Sequence, residues 1–189
     1  MRRIESAVLI PALGTLAFIM VPARSPAQPV SVAAGLDAIT YHGTGLNERD
    51  GLRSVHATVQ YAVTAKFLVG LGGSVGNFDS PDQDASFTAY TVFIEPALIF
   101  GTGRYRGYVG PRLGWEQERL GSQPSHVGGS FGAATGLLVA LSDRWSVGVR
   151  TQLDYLRLGN WEANDEPSLR GVRWQIGPEI RWTNQRSAR

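Results

Sequence analysis

"GVRWQIGPEIRW", residues 171–182, alternates without a break. Val172, Trp174, Ile176, Pro178, Ile180 and Trp182 form one set; Arg173, Gln175, Gly177, Glu179 and Arg181 form the other. A repeat of two residues describes a β-strand with one apolar and one charged face. The fold turns on which face meets the surroundings. Charged side outward, the strand belongs to a secreted soluble domain; oily side outward, it is a stave of a membrane barrel.

Composition narrows the choice. Arg2 and Arg3 precede an apolar run from Ala7 to Val21, broken by Pro11, Gly14 and Thr15, and Ser25-Pro26-Ala27 supplies small residues for cleavage. This pattern predicts a signal peptide over residues 1–27, cut near Ala27, because the apolar run is too short for a comfortable membrane span. The leader holds three arginines and one glutamate, so the remainder carries 15 basic and 15 acidic residues. The basicity of the whole chain is therefore no argument for nucleic-acid binding. One domain is expected, a barrel over 28–183, with a short tail at 184–189. The absence of cysteine excludes a disulfide framework, a thiolate metal site and a lipid-modified N-terminal cysteine. No later segment approaches the ~18 consecutive apolar residues of a membrane helix. A membrane would be crossed by strands.

Period-two patterning predicts eight strands, at 30–40, 54–62, 66–76, 87–100, 105–116, 127–141, 145–157 and 171–182. Their connections alternate in length. The long ones run through 42–53, 77–86, 117–126 and 158–170, and the short ones sit at Thr64-Ala65, 101–104 and 142–144. Such asymmetry predicts an antiparallel, up-and-down barrel with short periplasmic turns and longer outer loops.

Aromatic placement gives the direction of the faces. Phe100, Tyr105, Trp145 and Trp182 lie on oily faces at the short-turn ends, and Tyr90, Trp115, Tyr155 and Trp174 near the long-loop ends. Two belts with aliphatic residues between them match the two interfaces of a bilayer. The opposite faces interleave glycines (Gly70, Gly110, Gly132 and Gly177 among them) with long charged side chains. Glycine weakens a solvated strand without return, but in a narrow lumen it leaves room for those chains. The oily face is thus expected outward. Glu95, Arg112, Glu116, Arg150, Asp154, Arg173, Glu179 and Arg181 are expected inside as a charge network. A tight turn over 101–104 would set Glu95 opposite Gly110 and diagonal to Arg112, within ion-pair reach.

The leader, eight staves, alternating loops and aromatic last strand resemble the small outer-membrane β-barrel proteins of Gram-negative bacteria, the OmpA/OmpX-like group. The resemblance implies a monomer in the outer membrane, in contact with membrane lipid and lipopolysaccharide and inserted by the outer-membrane assembly machinery. It implies no particular extracellular ligand. Here Trp182 is followed by "TNQRSAR", whereas the group's last strand commonly ends the chain at an aromatic residue. No cell-wall-binding domain follows the barrel, so no cell-wall anchoring is expected.

The polar residues admit three kinds of chemistry. A polar plug satisfying the lumen is the expected role of the charges, with a small-solute or ion path as the alternative. Some barrels of this size modify lipid A with a histidine and a serine or acidic partner. His56, His126 and Ser130, however, have inward parity, which disfavours a site facing lipid, and no catalytic residue is assigned. Asp79, Asp82, Asp84, Glu162, Asp165 and Glu166 are loop acids without the spacing of a calcium loop. No metal or cofactor is expected. With Glu48, Asp50 and Glu118, against Arg49, Arg53, Arg119 and Arg170, they predict an acidic outer crown.

Overall fold

The computed structural model describes residues 29–44, 52–79, 86–120, 125–160 and 169–184. The leader at 1–27, most of the long connections and residues 185–189 of the tail lie outside the described residues. Eight strands run in chain order: β1 (Val30–Thr44), β2 (Leu52–Thr64), β3 (Phe67–Asp79), β4 (Ser86–Thr102), β5 (Tyr105–Leu120), β6 (His126–Ala140), β7 (Trp145–Asn160) and β8 (Leu169–Thr183). Each pairs antiparallel with the next, and β8 pairs with β1 to close the barrel. Several strands extend past their expected upper ends, β1 to Thr44 and β7 to Asn160.

Two of the short turns are as tight as a hairpin allows. Thr64 faces Phe67 and Thr102 faces Tyr105, leaving Ala65-Lys66 and Gly103-Arg104 between them. Gly103 sits at φ 62°, in the left-handed region that two-residue hairpins require and glycine supplies. The third turn folds back through Leu141 and Ser142, whose amides donate to the Trp145 carbonyl at 2.8 and 3.2 Å. At the seam, Asn184 ties β8 to β1: its amide donates to the Val30 carbonyl, and its side-chain oxygen accepts from the Val30 amide, both at 2.9 Å.

The barrel is staggered. Successive cross-strand partners lead from Val32 to Val59, Leu71, Ile94, Leu113, Phe131, Tyr155 and Val172, and back onto β1 at His42, ten residues above the start. For eight strands that shear corresponds to a tilt of about 40°. Each of the eight residues before His42 projects outward and is at least a third exposed. They form one continuous apolar spiral round the wall.

Proline interrupts the ladder at two places. Pairing stops at Ile94–Leu113 and resumes at Leu98–Val109, spanning Pro96 and Pro111; it also skips from Gly35–Glu179 to Ala38–Ile176, spanning Pro178. Proline has no amide to give. The two seams, β4–β5 and β8–β1, stand on opposite sides of the closed ring.

Candidate functional site

The lumen is built by alternation. On β8, Arg173, Gln175, Glu179 and Arg181 are buried while Val172, Trp174, Ile176 and Ile180 are exposed. The same rule buries Glu95 on β4, Arg112 and Glu116 on β5, and Arg150 and Asp154 on β7. Glycine makes the space: a Cβ at Gly177 would overlap the Leu36 carbonyl, and one at Gly132 the Leu153 carbonyl. Small inward positions let neighbouring backbones close up, and the long side chains fill the volume between.

Two ionic clusters result. In the upper one, Arg173 bridges Glu116 (2.8 Å from Nη1 to Oε2, 2.5 Å from Nη2 to Oε1) and Asp154 (2.9 Å). Asp154 Oδ2 also accepts from Arg112 at 2.5 Å and from Gln152 at 3.0 Å, and Gln152 donates onward to Gln175. The lower cluster centres on Glu179. Its Oε2 accepts from the Tyr108 hydroxyl at 2.9 Å, and its Oε1 from Arg181 at 2.8 Å. Arg150 lies 4.0 Å from Glu179 and donates to Glu95 at 2.5 Å. His56 stands between two carboxylates, with Nδ1 2.7 Å from Asp37 and Nε2 3.9 Å from Glu179. Phe93 joins the clusters, its ring 3.8 Å from the Arg112 guanidinium carbon and 5.5 Å from that of Arg150. Arginine over an aromatic face is attracted to the ring quadrupole, so the ring serves as a shared lining for both.

The Glu95–Arg112 pair expected from the hairpin is not formed. The turn is two residues shorter than 101–104, so Leu98 faces Val109 and the register sets Arg112 rather than Gly110 opposite Glu95, in the stretch where pairing is interrupted around Pro96 and Pro111. The two side chains nevertheless take other partners. Glu95 instead reaches across to Arg150 of β7, and Arg112 to Asp154 of the same strand. Arg106, of inward parity, is exposed at the barrel's lower end. Glu118, expected in the outer crown, lies on β5 and is fully buried. Arg53, Arg119 and Arg170 are likewise strand residues. Glu48, Asp50, Asp82, Asp84, Glu162, Asp165 and Glu166 lie outside the described residues.

Sequence reasoning missed Asp37, Gln60, Phe93, Tyr108 and Gln152, all buried in the lumen. Parity alone would have found them, since each has the same face as a charged neighbour on its own strand or across the ladder. His56 and Ser130 are buried and His126 is half-buried. His56 is engaged with Asp37, in the opposite half of the lumen from the His126–Glu118 rung at the top of β5 and β6.

On the outer wall, Tyr90, Trp115, Tyr155 and Trp174 are 42–51% exposed, and Phe100, Tyr105 and Trp145 are 45–70% exposed. Trp182 is half-buried and faces Trp145 across β7–β8. Trp174 donates its indole N–H to Thr151 Oγ1 at 2.7 Å, so its polar edge is held by the wall.

Solved structures share this arrangement. The chain matches the crystal structure of Neisserial surface protein A at a TM-score of 0.67 and 13% identity, over 81% of this chain and 96% of that one. It also matches Ail, the attachment invasion locus protein of Yersinia pestis, at a TM-score of 0.51 and 15% identity, over 82% and 98%. The fold is that of the small eight-stranded outer-membrane barrels. No protein-family model and no curated protein sequence matches the chain. The outer-membrane barrel fold gives the two faces their sense: its exposed apolar wall and its buried ionic lumen are the two halves of one alternation.

Proposed function

We propose that this chain is a resident outer-membrane barrel whose lumen is a structural plug and whose work is done at its surface, through the long-loop rim and the wall beneath it. The observation that carries the reading is the inversion of the usual soluble pattern. A continuous spiral of exposed Val, Leu, Ile, Phe and Tyr surrounds six buried carboxylates and four buried arginines. An exposed apolar band of that extent is untenable in water and natural in lipid. Ion pairs that cross the lumen between β4 and β7 and between β5 and β8 support a plug over a conducting path. The parity of His126 and Ser130, away from lipid, supports a non-enzymatic role.

Fractionation and conductance test the proposal together. The folded protein is expected in outer-membrane fractions, migrating faster on a gel unheated than boiled, with no discrete current steps in planar bilayers and no change in lipid A mass on expression. Recovery as a soluble periplasmic protein without detergent would overturn the membrane placement. Unitary conductance altered by Arg150→Ala would overturn the plug.

A further inference from the structure

A histidine stands across the gap that Pro178 leaves in the β8–β1 seam. Gly35 of β1 pairs on one side with His56 of β2 and on the other with Glu179 of β8, so the three share one rung at the lower edge of the gap. Gly35 brings no side chain to that rung, and the imidazole uses the space. A Cβ there would lie 2.5 Å from His56 Cε1 and 3.0 Å from its Nε2. The ring thereby reaches from β2 over β1 toward β8. Its Nδ1 is 2.7 Å from Asp37, which lies in the unpaired stretch of β1, and its Nε2 is 3.9 Å from Glu179. All three side chains are buried.

The charges around the ring are unevenly shared. Glu179 is served by Arg181 at 2.8 Å, by the Tyr108 hydroxyl of β5 at 2.9 Å and by Arg150 of β7 at 4.0 Å, and Arg150 is itself held by Glu95 of β4. Asp37 has no arginine within 4 Å among the described residues; besides His56 it meets the Ser54 hydroxyl at 3.5 Å. From β3 the cross-strand neighbour of His56 is Ser74, which carries no charge. Beside a neutral ring, a buried Asp37 carboxylate keeps its desolvation penalty. A ring protonated at both nitrogens donates to Asp37 and turns its second N–H toward Glu179.

We propose that His56, carried as an imidazolium, is a proton-operated latch on the β8–β1 seam, tying β2 to β1 and β8 where the ladder is broken. With the proton bound, one cation grips a carboxylate on each side of the gap. As pH rises and the proton leaves, Asp37 stays buried without a counter-charge and the seam loosens. The latch therefore stabilises the seam at low pH and is lost at high pH. The β4–β5 seam, broken at Pro96 and Pro111, supplies a built-in contrast. Its charged neighbours Glu95 and Arg112 are held by Arg150 and Asp154, and arginine keeps its charge over the same range.

The test uses the full mature chain refolded in lipid vesicles, with gel mobility before heating to verify that each variant is folded. Ring-nitrogen resonances of histidine-labelled protein, with His56 assigned by its loss in His56→Gln, are expected to show both nitrogens protonated at pH 6. A neutral His56 ring there would overturn the latch. Hydrogen exchange read by mass spectrometry then compares peptides covering 34–39 and 176–180 with peptides covering 94–98 and 109–113. Taking the ratio of the two seams cancels the ordinary pH dependence of exchange. That ratio is expected to rise about tenfold or more between pH 6 and pH 9, and an unchanged ratio would overturn the proposal. In His56→Gln the ratio should be high at both pH values and flat. Asp37→Asn keeps the ring, removes its nearer carboxylate and should lose most of the step; it carries the comparison should His56→Gln fail to fold. A step that survives undiminished in either variant would overturn the assignment. His126→Gln, which removes the histidine at the top of β6, should keep the full step, and its loss there would place the titration away from the seam and overturn the role of His56.

Discussion

Arg173 holds the largest share of the upper lumen, because it is the one group shared by Glu116 and Asp154. A buried charge that loses its partner retains its desolvation penalty without compensation. Arg173→Met is therefore expected to destabilise the barrel by roughly 3–5 kcal/mol, read from urea unfolding in lipid vesicles. Adding Glu116→Gln should recover a good part of the loss, since Asp154 keeps Arg112 at 2.5 Å. An additive or worse double variant would contradict the pairing. The identity of these residues was legible from parity, but their partners were not. Glu95 pairs with a residue three strands away and Arg173 with one three strands back. Such contacts depend on barrel diameter and stagger, which no single strand encodes.

Among the elements, β8 shows how small and large residues divide the work. Gly177 lies inward beside Gln175 and Glu179, and its lack of a side chain lets the Leu36 carbonyl of β1 approach at the seam. Gly177→Ala is expected to cost about 2–4 kcal/mol, because the added methyl meets backbone that cannot rotate away. Gly159→Ala, whose added Cβ would have no neighbour within 4 Å among the described residues, should change stability by less than about 0.5 kcal/mol. Equal effects in thermal unfolding followed by gel mobility would contradict this account of the seam. The strand count and the direction of each strand could be read from alternation and turn spacing. The register of β4 against β5 could not, because a turn of "GTGR" composition closes equally well over four residues or two. The choice of two moves every cross-strand neighbour, Glu95 and Arg112 included.

For the whole molecule, the sequence yields the inside-out distribution of polarity because that distribution is itself periodic. The closure of β8 on β1 and the ten-residue stagger emerge only when all eight ladders are traced in turn. The absence of cysteine makes the central claim directly measurable, since any introduced thiol is unique. Spin labels placed singly at the exposed Ile176→Cys and Ile180→Cys, and at the buried Gln175→Cys of β8 and Thr58→Cys of β2, should divide by face in lipid vesicles. Strong relaxation by oxygen, which concentrates in hydrocarbon, is expected at 176 and 180, and weak relaxation at 175 and 58. High oxygen accessibility at 175 and 58 with shielding at 176 and 180 would put the charged face outward and contradict the barrel as described.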